Sequence, residues 1–229
     1  MAIFNSESDI QALHEAGRRL AFVLDEVAKD VCGGVTERAL DTKARELIEK
    51  GGDAPAFLGY TPRGAKMPYP ATLCVSVNDA VVHGIPGDRP LEDGDIVSLD
   101  IGLVHKGVVV DMAKTYAVGV IPEKVRRLIS ATEESLREGI KAARVGGHVG
   151  DIGAAIESSV EKAGFSVVYE LGGHGVGRKV HEGPFIPNFG TKGKGEKLVS
   201  GMVLALEPIV TLGSSDIKLA DDGYTYKTK

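Results

Sequence analysis

The predicted order of helices and strands repeats along the chain, and this repeat restricts the possible folds more than any other feature. Apolar residues recur at helical spacing over about residues 6–30 and 36–50, and again over 122–143 and 149–163. Strand candidates follow each helix pair, at 71–78, 95–102 and 107–118 and then at 165–171 and 201–212. Two such units can bury their sheets against shared helices, which predicts an α/β (α+β) fold.

The second and fourth helices also match each other when they are superimposed at an offset of 112 residues. Gly34 then meets Gly146, Gly52 meets Gly164, and apolar residues meet in between: Leu40 with Ile152, Ala44 with Ile156, and Ile48 with Val160. Any two amphipathic helices that end in glycine share part of this pattern, but the repeated order of elements favours a duplication. We therefore predict a single catalytic domain over 1–229, with an internal repeat of about 6–119 and 120–229.

The composition is that of an ordinary globular protein, with 43% hydrophobic and 26% charged residues. A net charge of −5 gives no electrostatic reason to expect a nucleic-acid partner. The N-terminal "MAIFNSESDIQ" lacks the basic and apolar segments of a secretory signal, and no apolar run is long enough for a membrane span. Two cysteines are too few for a disulfide framework. We expect a soluble, cytoplasmic monomer with no membrane or specific nucleic-acid partner.

Two aspartates lie in neighbouring strand candidates, Asp100 in "DGDIVSLDIG" and Asp111 in "GVVVDMA". A two-residue hairpin loop at His105-Lys106 would place them directly opposite each other on one face of the sheet. Two adjacent carboxylates repel each other unless a cation lies between them, which points to a metal. A three-residue loop with a bulge at Gly107 would instead shift the register by one and separate them. In that case both aspartates are ordinary solvated strand residues.

The second half of the chain carries histidines among glycines and a glutamate in an apolar strand. The stretch "ELGGHGVGRKVHEGP", residues 170–184, places His174 and His181 among five glycines, which allow another molecule to approach closely. Glu207 alternates with apolar residues in "SGMVLALEPIV", and the following Pro208 predicts a sheet edge or a bulge. Together with the two aspartates, one imidazole and this glutamate make an oxygen-rich ligand set that suits Mn, Fe, Co or Zn.

Three other histidines, His14, His105 and His148, are interpreted as surface or turn residues without a functional role. His83 is different, because it precedes Gly-Ile-Pro and therefore lies in a turn rather than a helix.

Four segments resemble, in their order and spacing, the bacterial kind of type I methionine aminopeptidase. They are "NDAVVHGIP", "DGDIVSLDIG" with an aspartate eleven residues later, "GGHGVGRKVHEGP" and "GMVLALEP". The resemblance extends from "SESDIQALHEAGRRLA" to "DDGYTYKTK". It implies the pita-bread fold, in which helix pairs and antiparallel strands form a pseudo-two-fold repeat. It also implies removal of the N-terminal methionine, by metal-activated water, from peptides and from nascent chains at the ribosome whose second residue is small.

The resemblance also implies roles for individual residues. The residues that match the family's ligands for two divalent ions (Co, Mn, Fe or Zn) are Asp100, Asp111, His174 and Glu207. In the family pattern Asp111 bridges the two ions and Glu207 also acts as general base. His83 and His181 match the histidines that hold and polarise the scissile amide. The residues that match the methionine side-chain pocket are Tyr60, Tyr69, Cys74 and Phe57.

The chain departs from the family pattern in two places. The segment 61–68, "TPRGAKMP", is longer than the usual connection between the two tyrosines. The family's fifth metal ligand, a glutamate in a strand that follows "DGYTYKTK", has no counterpart before Lys229. Either the chain is truncated before that strand, or the protein has lost a bridging carboxylate. Two alternative functions stay open: a binding module of the same fold without metals, and a proline-specific aminopeptidase. The latter usually carries a large N-terminal domain, whereas the first helix here begins close to Met1.

Overall fold

The computed structural model of the protein describes residues 2–62 and 64–229. Arg63, which belongs to the long 61–68 segment, lies outside these described residues. Within the described ranges, no helix has both the length and the apolar content that crossing a membrane requires.

The chain divides into two compact units. The N-terminal unit comprises Glu7–Pro122 and Lys218–Thr228. The C-terminal unit comprises Glu123–Ile217, the residues up to Ser6, and Lys229. Each unit contains one helix pair and its own strands, so each is described by itself below.

The helix pair of the N-terminal unit consists of α1 (Glu7–Ala28) and α2 (Glu37–Lys50), which confirms both predicted helices. α2 begins after Thr36, whose side chain accepts a hydrogen bond from the N–H of Ala39 at 3.2 Å. It ends at two glycines, and Gly52 adopts a φ of 79° that side chains rarely tolerate. Local capping signals therefore set both ends of this helix.

The main sheet of the N-terminal unit is built around one long strand, β4. Its strands are β1 (Ala54–Pro55), β2 (Leu73–Val77), β4 (Ile96–His105) and β5 (Val108–Ala117), while β3 (Ala80–Val82) belongs to another sheet. β4 pairs antiparallel with β1, β2 and β5. Val97, Leu99 and Ile101 of β4 are fully buried and the residues between them are half-buried, which confirms the predicted alternation.

The hairpin between β4 and β5 turns one residue later than predicted, at Lys106 and Gly107. Both residues have positive φ, 48° and 77°, as a two-residue hairpin turn of this kind requires, and glycine meets that requirement without strain. Asp111 consequently pairs with Gly102 and not with Asp100, so the predicted direct opposition of the aspartates is wrong. The register differs by an even number of residues, however, so both aspartates stay on one face as diagonal neighbours.

The C-terminal unit begins with α3 (Glu123–Ala142) and α4 (Val149–Lys162), again as predicted. Its strands are β6 (Ser166–Val167), β7 (Gly172–Gly175), β8 (Glu182–Pro187), β9 (Leu204–Ala205) and β10 (Val210–Thr211). The single strand predicted over 201–212 is in fact split into β9 and β10, because Pro208 cannot donate to a sheet ladder. β7 lies between β8 and β9, and neither β7 nor β8 was predicted as a strand.

Two short strands lie near the end of the chain, β11 (Ile217–Leu219) and β12 (Tyr226–Thr228). β12 pairs antiparallel with β3, with Tyr226 opposite Val82. The last residues of the sequence are thereby hydrogen-bonded to the strand that precedes His83.

The helices α2 and α4 have the same length and the same position in their units. Each has 14 residues, and both ends of α4 follow those of α2 by 112 positions. Gly34 and Gly146, with φ of 92° and 88°, precede the two helices, and Gly52 and Gly164, with φ of 79° and 83°, follow them. This agreement supports the internal repeat that we propose.

The core of the C-terminal unit lies between α4 and its short strands. Ile152, Ile156 and Val160 of α4 are fully buried there. Ile186 of β8 belongs to the same cluster, and Leu204 of β9 packs against it. This apolar layer supports the β7–β9 sheet from one side and fixes the strands that carry the histidine and glutamate described next.

Candidate metal centre

The predicted site residues form one group in each unit. In the N-terminal unit, Asp100 and Asp111 are half-buried on the same face of the β4–β5 hairpin. Cys74 of β2 pairs with Asp100 and is buried. Burial, and in second place the negative charge of Asp100, holds the pKa of the Cys74 thiol well above its usual range. This thiol is therefore neutral beside the two carboxylates.

Three of the four predicted pocket residues are buried against this carboxylate face. Phe57 and Tyr69 are 7% and 4% exposed. The Phe57 ring lies over Gly102, where an added Cβ would come within 2.8 Å of it. Tyr69 donates from its hydroxyl to the carbonyl of Gly84 at 2.9 Å. The glycine at 102 thus leaves room for an aromatic ring next to Asp111.

The fourth pocket residue, Tyr60, is half-buried. Its carbonyl accepts a hydrogen bond from the N–H of Tyr69 at 2.8 Å, and the N–H of Gly59 donates to the carbonyl of Tyr69 at 2.9 Å. These two backbone hydrogen bonds join Gly59 and Tyr60 to Tyr69. The two tyrosines are therefore neighbours, although the 61–68 connection between them is long.

In the C-terminal unit, His174 of β7 presents one defined nitrogen. Its Nδ1 lies 2.8 Å from the carbonyl oxygen of Gly175, which can only accept a hydrogen bond. Nδ1 is therefore the donor, which leaves Nε2 of the neutral ring as the nitrogen that can ligate a metal. The ring is 8% exposed. The backbone next to it thus selects the ligating form.

Glu207 lies beside this nitrogen. Ala205 pairs with His174 across the sheet, and Glu207 follows two residues later on the same face. Oε1 of Glu207 lies 3.0 Å from Nε2 of His174. This oxygen is buried and accepts no hydrogen bond from the described residues. Two lone-pair donors at this distance are stabilised by a shared cation, so the residues fit a metal ion.

His181, in the turn before β8, contacts His174. Its ring centroid lies 4.4 Å from that of His174, at an interplanar angle of 68°. The carboxylate of Glu182 anchors this turn by accepting hydrogen bonds from the N–H groups of Arg178 and Lys179 at 2.8 and 2.9 Å. Partial burial raises the pKa of Glu182, but these hydrogen bonds lower it by more. Sequence reasoning missed this anchoring glutamate, although it directly follows a predicted site histidine.

His83, in the N-terminal unit, follows β3 in the predicted turn. It has a φ of 57°, an uncommon conformation for a residue with a side chain, and such strain is concentrated at functional sites. Its ring packs edge-on against Tyr226 at a centroid distance of 6.1 Å, and its carbonyl accepts from Thr225. Both of these contacts come from residues near the end of the chain.

The prediction that His105 is a surface or turn residue is wrong. His105 is the last residue of β4, is only 6% exposed, and its Nδ1 lies 2.7 Å from Oδ1 of Asp53. Its partner is 52 residues away in sequence, and no local pattern indicates the pairing. His148, by contrast, is the N-cap residue of α4.

Helix pairs packed on antiparallel strands, with carboxylate and imidazole groups of this kind, are typical of metal-dependent hydrolases. The sequence model of the metallopeptidase family M24 matches residues 11–225, and the chain belongs to that family.

Its relatives include the methionine aminopeptidase of Clostridium perfringens, which is 46% identical over 100% of this chain and 89% of that protein. The crystal structure of methionine aminopeptidase from Rickettsia prowazekii matches with a TM-score of 0.95 and 36% identity, over 100% of this chain and 90% of that one. These matches confirm the predicted resemblance and the pita-bread fold.

The Xaa-Pro dipeptidase from Bacillus anthracis matches less well, with a TM-score of 0.76 and 22% identity over 99% of this chain and 62% of that one. That likeness shows the fold alone.

Proposed function

We propose that the protein removes the N-terminal methionine from peptides and nascent proteins whose second residue is small, in a metal-dependent reaction. The observation that carries this proposal is the contact between Nε2 of His174 and Oε1 of Glu207. It occurs in a member of a metallopeptidase family, and relatives that match nearly their whole length are methionine aminopeptidases. Both the chemistry of the pair and the kinship therefore support the same reaction.

The proposed metal centre takes ligands from both groups of residues. Asp111, His174 and Glu207 would each supply one ligand atom to a divalent ion, as their match to the family's ligands implies. Asp100, the diagonal neighbour of Asp111 on the hairpin, would add a second carboxylate to the ligand set. Oxygen and imidazole ligands accept Co, Mn, Fe or Zn, so the ligand set alone does not select among them.

Each of the site residues would then have a separate role in the reaction. Metal in this site supplies Lewis acidity, which activates water and polarises a carbonyl group. Glu207 would accept the proton of the attacking water and pass it to the leaving amine. His181 and His83 would donate hydrogen bonds to the scissile amide, a contribution of about 3 kcal/mol for each well-placed donor. The glycines around His174 leave room for a peptide backbone to approach.

The pocket for the methionine side chain would be formed by Phe57, Tyr69 and Cys74, with Tyr60 at its rim. Two aromatic rings and a neutral thiol suit an unbranched, polarisable thioether. The ring of Phe57 next to the hairpin would place this pocket beside the reacting bond.

We also propose that the protein works in the cytoplasm as a monomer and acts on chains that emerge from the ribosome. The substrate class supports both the cytoplasm and the ribosome, because a new N-terminal methionine first becomes accessible on a nascent chain.

The proposal is tested with metal-stripped protein and the peptide Met-Ala-Ser. We expect methionine release only after Mn, Co, Fe or Zn is added, and we expect its loss in Asp111→Asn. The matched control is Asp88→Asn, which alters an exposed aspartate paired with Arg38 on the surface. Release of the first residue from Xaa-Pro peptides in place of Met-Ala-Ser would favour the proline-specific alternative. Absence of both metal binding and release would favour a binding module.

A further inference from the structure

Asn188 is a fully buried side chain that binds the main chain of a proposed metal ligand. It directly follows β8, is 0% exposed, and donates a hydrogen bond from Nδ2 to the main-chain oxygen of Glu207 at 2.7 Å. Its Oδ1 is also buried and, over the part of the chain that the structure describes, has no hydrogen-bond partner. An unsatisfied buried oxygen is unfavourable, so this amide costs stability at one atom while it holds Glu207 with the other.

The main chain at Glu207 lacks the support that a β-ladder provides. β9 ends at Ala205, two residues earlier, and the next residue, Pro208, has no N–H to donate. The Asn188 amide therefore takes the place of a ladder hydrogen bond at this position. It does so at the residue whose carboxylate lies beside His174.

We infer that Asn188 is a positioning residue for Glu207, because its amide fixes the peptide oxygen and so holds the carboxylate next to Nε2 of His174. The inference rests on the proposed function, which makes Glu207 a metal ligand and a general base. Without the amide, the main chain at Glu207 can adopt several positions, and its carboxylate has to be ordered each time metal binds. Loss of partners that orient metal ligands typically weakens metal binding by about 10–100-fold.

Two substitutions remove the amide donor in different ways. Asn188→Leu keeps a similar side-chain volume. Asn188→Ser has a smaller side chain and serves as the second variant in case leucine does not fit. The matched control is Thr211→Val in the same unit. Thr211 is 4% exposed and donates to the main-chain oxygen of Ser214 at 2.8 Å, but that oxygen belongs to no proposed ligand.

Each metal-stripped protein is titrated with Mn²⁺ by calorimetry, and its melting temperature is measured. Methionine release from Met-Ala-Ser is then followed as Mn²⁺ is increased. We expect both Asn188 variants to bind Mn²⁺ about 10–100-fold more weakly. At a fixed Mn²⁺ concentration they should lose kcat with little change in KM, and they should recover part of it as Mn²⁺ rises.

The control should melt at a lower temperature but bind Mn²⁺ as the wild type does. Wild-type Mn²⁺ affinity in the Asn188 variants would overturn the inference and leave the proposed function standing. An equal loss of affinity in Thr211→Val would also overturn it, because affinity would then simply follow stability. A wild-type protein that binds none of Mn²⁺, Co²⁺, Fe²⁺ and Zn²⁺ would refute the proposed function itself.

Discussion

The two units each contain a buried contact between a histidine and a carboxylate, and the two contacts differ in what surrounds them. In the C-terminal unit, Nε2 of His174 lies 3.0 Å from Oε1 of Glu207. In the N-terminal unit, Nδ1 of His105 lies 2.7 Å from Oδ1 of Asp53. Both histidines are less than one-tenth exposed. The type of contact and the burial of the histidines therefore do not distinguish the two pairs, although the side chain of Glu207 is 34% exposed and that of Asp53 only 4%.

The difference lies in the second partner of each carboxylate. Oδ2 of Asp53 lies 3.3 Å from Nη1 of Arg19, which also donates to the carbonyl of Gly51 at 2.9 Å. The His105–Asp53 pair therefore has a cation of its own. Among residues 2–62 and 64–229, no lysine or arginine pairs with Glu207, and its Oε1 accepts no hydrogen bond.

A histidine–carboxylate pair whose carboxylate has no arginine or lysine partner is therefore the better candidate for binding a metal ion. Arginine completes the N-terminal pair and makes it a structural contact between α1, the end of α2 and the hairpin. For the C-terminal pair we propose a cation from outside the chain, in agreement with membership in a metallopeptidase family.

The largest expected effect comes from Glu207→Gln, which keeps the shape of the side chain but removes its charge. Because the proposed ligand and general base is lost, kcat/KM for Met-Ala-Ser should fall by about 10³-fold. The control is Asp53→Asn, which makes the same kind of change in the other pair. Its activity per folded molecule should stay at the wild-type level. An equal loss of activity in both variants would contradict the distinction between a functional and a structural pair.

Removing each histidine should separate stability from function. His105→Ala leaves a cavity and deprives Oδ1 of Asp53 of its partner, so the free energy of unfolding should fall by about 2–3 kcal/mol. Methionine release by the folded fraction should not change. His174→Ala should instead abolish Mn²⁺ binding and cost less stability. Urea unfolding and Mn²⁺ titration of both variants check this, and the same pattern in both would contradict it.

The buried carboxylate of Asp95 should make the stability of the protein depend on pH. Burial raises the pKa of Asp95, but the N–H of Glu92 and the side chains of Asn78 and Arg89 lower it below its ordinary value. A lowered folded-state pKa means that the stabilisation is complete above the unfolded pKa of about 3.9 and is lost as pH falls through the folded-state pKa. The stability difference between the wild type and Asp95→Asn should therefore shrink on acidification. A difference that is constant with pH would contradict this assignment.

The smallest expected effect comes from Arg19→Ala, which removes the cation of the N-terminal pair. Arg19 is about one-third exposed, so water and salt screen its attraction to Asp53. The loss in unfolding free energy should be smaller than that of His105→Ala and should decrease further at high salt. Urea unfolding at low and high salt measures it. A loss as large as that of His105→Ala would show that the pair depends mainly on this charge.

Local patterns in the sequence predicted much of the fold. Helical spacing and glycine caps gave all four helices to within about two residues, because caps and apolar stripes act within a few residues of each other. The alternation in β4 was also predicted. β7 and β8 were missed, because a strand of glycines and a proline-containing strand carry no apolar alternation. Their pairing depends on the neighbouring strands.

The candidate site divides in the same way. Carboxylates and histidines in unusual local settings, Asp100, Asp111, His174 and Glu207, could be selected from the sequence, and their roles stay predictions. The contacts of Asn188 with Glu207 and of His105 with Asp53 could not be selected, because the partners are 19 and 52 residues apart.

The sequence by itself determined where helices form, which strand faces are apolar, and which side chains carry chemistry, since these depend on residue type and short spacing. Only the tertiary structure decided the hairpin register, through a turn at Lys106-Gly107 that suits the whole β4–β5 ladder. It also decided which carboxylate has an arginine of its own. That choice depends on the packing of distant segments, and it separates a structural pair from the pair that we propose binds metal.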